Sequence, residues 1–162
     1  MPLLDWVNRN QAEETATQVP YHLLKFKQAY GDEEQAKENL IIHGDNLHAL
    51  KALLPTHTGQ IKCIYIDPPF NTQEAFDHYD DKLEHAQWLS MLYPRLQLLK
   101  ELLHDEGTIF LHIDDNELGY IIVLMDEIFG RDNRTHIVSF KQGDATGHKA
   151  INPGLVSTKL TK

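Results

Sequence analysis

Two adjacent prolines place the hardest constraint on this chain. Pro68 and Pro69 follow the run Ile61-Lys62-Cys63-Ile64-Tyr65-Ile66, which is β-branched and aromatic with no polar alternation beyond Lys62. Such a run predicts a strand buried on both faces, as in a parallel sheet. The strand cannot continue through Pro-Pro, because each proline lacks a backbone N–H and has its φ fixed. Asp67, Pro68, Pro69 and Phe70 are therefore expected at the carboxyl end of a central strand, the end where ligands bind in open α/β sheets.

The chemistry that suits these four residues is methylation of an exocyclic amino group. Such a nitrogen is a poor nucleophile, because its lone pair is delocalised into the base. It needs acceptors for its two hydrogens. Asp67 offers its carboxylate, and the rigid turn offers the Pro68 carbonyl. Phe70 offers a ring on which a flipped base can stack. No metal is required.

The chain has 162 residues, enough for one domain with a real core. Its single cysteine, Cys63, lies inside the apolar strand, where it is expected as a small buried hydrophobe. No disulfide framework is available, and the default setting is a reducing cytoplasm. The N-terminus turns polar at once, unlike a signal peptide, and no apolar run approaches membrane-spanning length. A net charge of −9 argues against the whole chain being a nucleic-acid clamp. The charge is unevenly spread: residues 1–130 hold 22 acidic against 9 basic side chains, residues 131–162 hold 2 against 6. The basic end is either the start of a phosphate-binding surface or a solvated stretch.

Along the chain, residues 8–20 lack periodicity and read as a loop or arm. A short helix is expected around Tyr21–Tyr30, then a polar connector over Gly31–Asn39. Leu40–His43 reads as a short strand ending at Gly44-Asp45. Asn46–Leu54 reads as a helix stopped by Pro55. Asn71–Asp81 is acidic and loop-like. A long helix is expected from about Glu84 to His104, where Trp88, Leu92, Leu96, Leu99 and Leu103 form an apolar stripe. Thr108–Ile113 reads as the next buried strand. Leu118, Ile121, Ile122, Met125, Ile128 and Phe129 mark the next helix, closed by Gly130, and His136–Lys141 reads as a further strand. Strand and helix alternate, so the fold class is α/β.

Three weaker signals each have a plain structural account. Asp45 stands at a strand-to-helix junction, where helix capping explains it better than a ligand does. Asp114-Asp115-Asn116-Glu117 has capping-box spacing between Asp114 and Glu117, which accounts for it better than a metal loop. Ten histidines invite a zinc reading, but there are no Cys pairs and no His-Glu-x-x-His helix.

Taken together, LIIHGDNLHALKALLP (residues 40–55), GQIKCIYIDPPFNT (59–72), the segment from Trp88 to Leu96, GTIFLHIDDNE (107–117) and LMDEIFG (124–130) resemble the bacterial DNA adenine-N6 methyltransferases. Within them the chain is most similar to the amino-terminal portion of the modification subunit of type III restriction-modification systems. The resemblance implies a partial Rossmann-like, S-adenosylmethionine-dependent methyltransferase fold: a mostly parallel sheet flanked by helices, its family strand order 3-2-1-4-5-7-6. It matches Asp67, Pro68, Pro69 and Phe70 to the catalytic motif, with Phe where Tyr is commoner. It matches Gly44 and Asp45 to the cofactor cleft, with Asp67 beside them, and Asp114 and Asp115 to the end of the neighbouring strand. The implied cofactor is S-adenosyl-L-methionine. The implied partners are double-stranded DNA with a flipped-out adenine, and a restriction subunit or second modification subunit.

The resemblance also implies a division of the chain. Residues 1–39 are an arm and connector, 40–142 a partial catalytic domain, and 143–162 a segment leading toward a target-recognition region. The family's Gly-rich methionine-binding loop is not found; Gly143–Gly147 has the wrong spacing for it. Two other readings stay open. One is a truncated, non-catalytic chain acting only through a partner. The other is an amino-methyltransferase on cytosine N4, RNA or a protein amide.

Overall fold

The structure is a computed structural model that describes residues 3–32, 34, 39–71, 84–139 and 155–159. Its elements are α1 (Arg9–Gln18), α2 (Asn46–His57), β1 (Ile61–Ile66), α3 (His85–Leu102), β2 (Leu103–His112), α4 (Asp115–Phe129), a 3-10 turn (Arg131–Asn133), β3 (Arg134–Val138) and β4 (Leu155–Lys159). The sheet order is β1-β2-β4-β3. β1 and β2 run parallel, while β4 runs antiparallel to both β2 and β3. The fold is thus α/β, as its alternating elements implied, and its described sheet has one parallel pairing and two antiparallel ones.

The core lies on one face of the sheet. Ile64 pairs in register with Ile109, and Ile66 with Leu111, so these side chains share a face. α3 and α4 pack there through Leu92, Leu96, Ile121, Leu124 and Met125. Ile109, Leu111, Ile121 and Leu124 are each 0% exposed, and burying such side chains contributes about 1.5–3 kcal/mol apiece. α3 is buried beyond its expected stripe, at Leu89, Tyr93, Leu98 and Leu102 as well, because α1 and α2 cover its other sides.

Gly107 marks where β1 and β2 fall out of step. Between the first two paired positions β1 advances from Ile61 to Cys63 while β2 advances from Leu103 to Thr108. A Cβ at Gly107 would meet the Leu103 side chain at 2.7 Å and the backbone oxygens of His104 and Ile61 at 2.8 Å. Only glycine allows that approach.

Several expectations are corrected. Residues 9–18 form helix α1, not a loop, because Ala12 and Ala16 one turn apart make a small buried face against α3. Tyr21–Tyr30 is not helical; its Leu23, Phe26 and Tyr30 are exposed, so no packed apolar face holds a helix there. Leu40–His43 is not a strand, and Leu40 and Ile41 stand exposed beside no pairing edge. α2 runs through Pro55 to His57, because a proline's missing N–H is tolerated in an exposed last turn where Thr58 N–H still reaches the Leu54 carbonyl. β1 is not buried on both faces: only Ile64 is buried, and Cys63 is exposed. Among the described residues β1 is an edge strand, and no described helix covers its second face. β3 starts two residues earlier than the expected His136, directly after the 3-10 turn. Residues 72–81 of the acidic loop, Lys141 and the Gly143–Gly147 stretch lie outside the described residues.

Candidate active site

Asp67, Pro68, Pro69 and Phe70 leave β1 at its carboxyl end. The register that pairs Ile66 with Leu111 brings the next residue of each strand side by side. Asp67 Oδ1 lies 3.3 Å from His112 Nδ1, and the Asp67 carboxylate remains 56% exposed. The Phe70 ring meets the His112 imidazole edge to face, centroids 5.1 Å apart. Phe70 also packs against the main core cluster. The turn is pinned from below: the Trp88 indole N–H donates to the Pro69 carbonyl at 2.7 Å, and Trp88 itself is 0% exposed. Asn71 ends the turn at φ +60°, a conformation Asn tolerates better than most residues.

The next strand end supplies more acid. Asp114 is 1% exposed and caps α4, accepting the backbone N–H of Asn116 at 3.1 Å and its side-chain amide at 2.8 Å. Burial pushes its carboxyl above the ordinary 3.8, and the bonds from Asn116 oppose that push. Glu117 does not fold back to complete a capping box. Its buried carboxylate faces Asn71 and His85 instead. Asp115 is exposed.

Gly44 and Asp45 lie at the start of α2. Asp45 caps that helix, accepting from Leu47 N–H at 2.9 Å and His48 N–H at 3.4 Å. Its second oxygen lies 3.4 Å from an Arg95 guanidinium nitrogen, and the carboxylate stays 55% exposed. Burial holds Arg95 below its ordinary pKa, an effect that Asp45 opposes. The structure therefore gathers Asp67 and Phe70 around His112, and Asp45 with Arg95. Among the described residues no hydrogen bond or ion pair joins the two groups.

Sequence reasoning had placed Trp88 in the core alone and had singled out neither His112 nor His85. His112 was accessible in principle: parallel pairing of the two strands puts the residue after Ile66 beside the residue after Leu111. The Glu117 contacts carried no such signal, since Asn71 and His85 lie far from it in sequence.

The profile of the DNA methylase family matches residues 61–154, more than half of the chain and the whole of the β1–β2 unit. The chain belongs to the DNA methylase family. It is 49% identical over 104 residues to a probable type III restriction-modification enzyme HindVI Mod subunit from Haemophilus influenzae, covering 64% of this chain and 14% of that relative. It is 32% identical to the type III restriction-modification enzyme EcoP15I Mod subunit of Escherichia coli, over 92% of this chain and 28% of the relative. It is 40% identical to the type II methyltransferase M.KpnI of Klebsiella pneumoniae, over 56% of this chain and 24% of the relative. The chain thus spans between 14% and 28% of the length of these family members. Among the described residues no helix is long and apolar enough to cross a membrane.

Proposed function

We propose that this chain carries the catalytic motif of a DNA methyltransferase that transfers a methyl group from S-adenosylmethionine to N6 of adenine in double-stranded DNA. The observation that carries the reading is the Asp67–Phe70 turn. It stands at the end of a parallel strand, its carboxylate open, its backbone pinned by Trp88 and its aromatic ring set beside His112. Asp67 accepts one hydrogen of the target amine, and the Pro68 carbonyl accepts the other. Those two acceptors turn the nitrogen lone pair out of conjugation with the base, so the amine need not be deprotonated first. Phe70 stacks on the flipped base. Positive charge grows on the nitrogen as its new bond forms, and the nearby carboxylate stabilises it. The proton released afterwards passes through the exposed Asp67 oxygen to solvent.

S-adenosylmethionine, when bound, supplies an electrophilic methyl on a sulfonium. The groups present suit such a ligand. Asp45 and Asp67 are half-exposed carboxylates able to accept from amino and hydroxyl groups, and Gly44 stands in open space next to Asp45. Gly44, Asp45 and Asp67 are the residues that would hold it.

The strand order β1-β2-β4-β3, with β4 antiparallel, supports reading the sheet as the 4-5-7-6 part of a Rossmann-like methyltransferase sheet. In this reading residues 40–142 are a partial catalytic domain, preceded by the segment 1–39 and followed by 143–162 leading to target recognition. The protein acts in the cytoplasm, with DNA and a restriction subunit or second modification subunit as partners. Labelled-methyl transfer to duplexes tests the substrate. Label in N6-methyladenine supports the reading. Label only in N4-methylcytosine moves the chain to the sister chemistry.

A further inference from the structure

Glu117 is a buried carboxylate that the chemistry above does not use. It is 5% exposed at the third position of α4. An ionised carboxylate buried this far is costly unless donors meet it. Two do. Asn71 Nδ2 donates to one oxygen at 2.8 Å. His85 Nδ1 lies 2.9 Å from one oxygen and 3.1 Å from the other. Asn71 follows Phe70 directly, in the left-handed conformation. His85 is the first residue of α3, and its ring rests on Tyr120, one turn along α4 from Glu117, with centroids 4.1 Å apart. Asn71 and His85 stand on the two flanks of residues 72–83, and a single side chain of α4 holds both.

We infer that Glu117 is a positioning residue: a clamp that ties both flanks of residues 72–83 to α4 and so fixes the Asp67–Phe70 turn against β2. The functional half of this inference rests on the methyltransferase reading; the structural half does not. A carboxylate can only accept, so His85 must carry a proton on Nδ1, whether its ring is neutral or charged. Asp114 already caps the helix, so Glu117 is not needed there.

The test uses the native protein, isolated intact from the cells that make it and grown with ¹⁵N-labelled histidine, comparing wild type, Glu117→Gln and Glu117→Ala by long-range ¹H–¹⁵N correlation. In the wild type His85 Nδ1 is protonated. In Glu117→Gln the amide still bonds both residues, with its oxygen on His85 Nδ1–H or its NH₂ on a bare Nδ1, so His85 holds a single tautomer. In Glu117→Ala the ring reverts to the tautomer mixture of a free imidazole. An identical His85 pattern in wild type and Glu117→Ala overturns the clamp. Methyl transfer is measured on the same proteins. About a tenfold or greater fall in kcat is expected for Glu117→Ala, with most of it restored in Glu117→Gln. An unchanged kcat in a folded Glu117→Ala protein whose His85 has responded overturns the positioning role. If the wild type transfers no methyl group, the methyltransferase reading fails, and the tautomer result still decides the clamp.

Discussion

Trp88 joins the core to the catalytic candidate. Its ring is fully buried, and its N–H ends on the Pro69 carbonyl. Trp88→Phe keeps most of the packing and leaves that carbonyl without its donor, a loss of about 1–3 kcal/mol. A lower denaturation midpoint is expected, together with slower methyl transfer as the turn loosens; equal midpoints would mean the bond contributes nothing. Asp114 gives a pH signature. Its folded pKa is raised by burial, so the unfolded chain ionises first. The folded state therefore loses stability as pH rises through the folded value, and this loss is absent below the unfolded one. Asp114→Asn removes the titration while keeping a capping oxygen. Its melting temperature, relative to wild type, should move in the variant's favour between about pH 3 and pH 7. A gap that stays constant across that range would contradict the assignment. The Asp67–Phe70 group was legible in the sequence because its residues are contiguous and two prolines fix where the strand must stop. His112 and Glu117 were not, because their partners arrive only through strand pairing and helix packing: Asn71 and Glu117 are 46 residues apart.

Elements assembled from strong periodicity were also legible. Trp88, Leu92, Leu96 and Leu99 repeat at helical spacing along α3 and all are buried, while Leu103, the last of the expected stripe, opens β2 instead. α1 escaped because its buried face is two alanines, too weak a signal in a polar segment. An ion pair made at long range adds to the packing of those alanines on α3. The Arg9 side chain is 8% exposed and pairs with Glu127 of α4, itself 13% exposed, and with Glu13 one turn along its own helix. Its guanidinium lies 5.0 Å from the Trp6 ring and 5.5 Å from that of Tyr93, and the bond to Glu127 raises its pKa. Arg9→Met alone strands Glu127 among buried groups and should destabilise by about 3–5 kcal/mol. The double variant Arg9→Met, Glu127→Leu should recover much of that loss, and urea denaturation of the two proteins measures it. A single variant as stable as wild type would show that α1 is held by packing alone. The other correction at this scale, Leu40–His43, has a different cause. An apolar tetrad reads as a strand only where an edge is there to receive it, and sequence carries no record of that edge.

At the scale of the molecule, the described sheet is covered on one face, and β1 stands at its edge among the described residues. β1 pairs with β2 on one edge and with no strand on its second edge among the described residues. Tyr65 on its open face is 61% exposed, and Leu40 at 64% and Ile41 at 86% are uncovered as well. An apolar strand edge of this kind pairs readily with another, and Lys62 is its only charged guard. The 162-residue chain by itself is therefore expected to associate through this edge, as read by sedimentation velocity. A compact monomer would contradict this. The α/β class was legible from the order of strands and helices. The antiparallel β4 was not, since its sequence gives no hint of the strand it pairs with.

The central claim is that Asp67 is the group that prepares an adenine amine for methylation. Its most direct test is labelled-methyl transfer from S-adenosylmethionine to duplex DNA. The native protein, isolated intact from the cells that make it, is compared with its Asp67→Ala variant. The account predicts label in N6-methyladenine with the native protein and none above background with the variant, both proteins being folded. Substantial turnover by Asp67→Ala would contradict it.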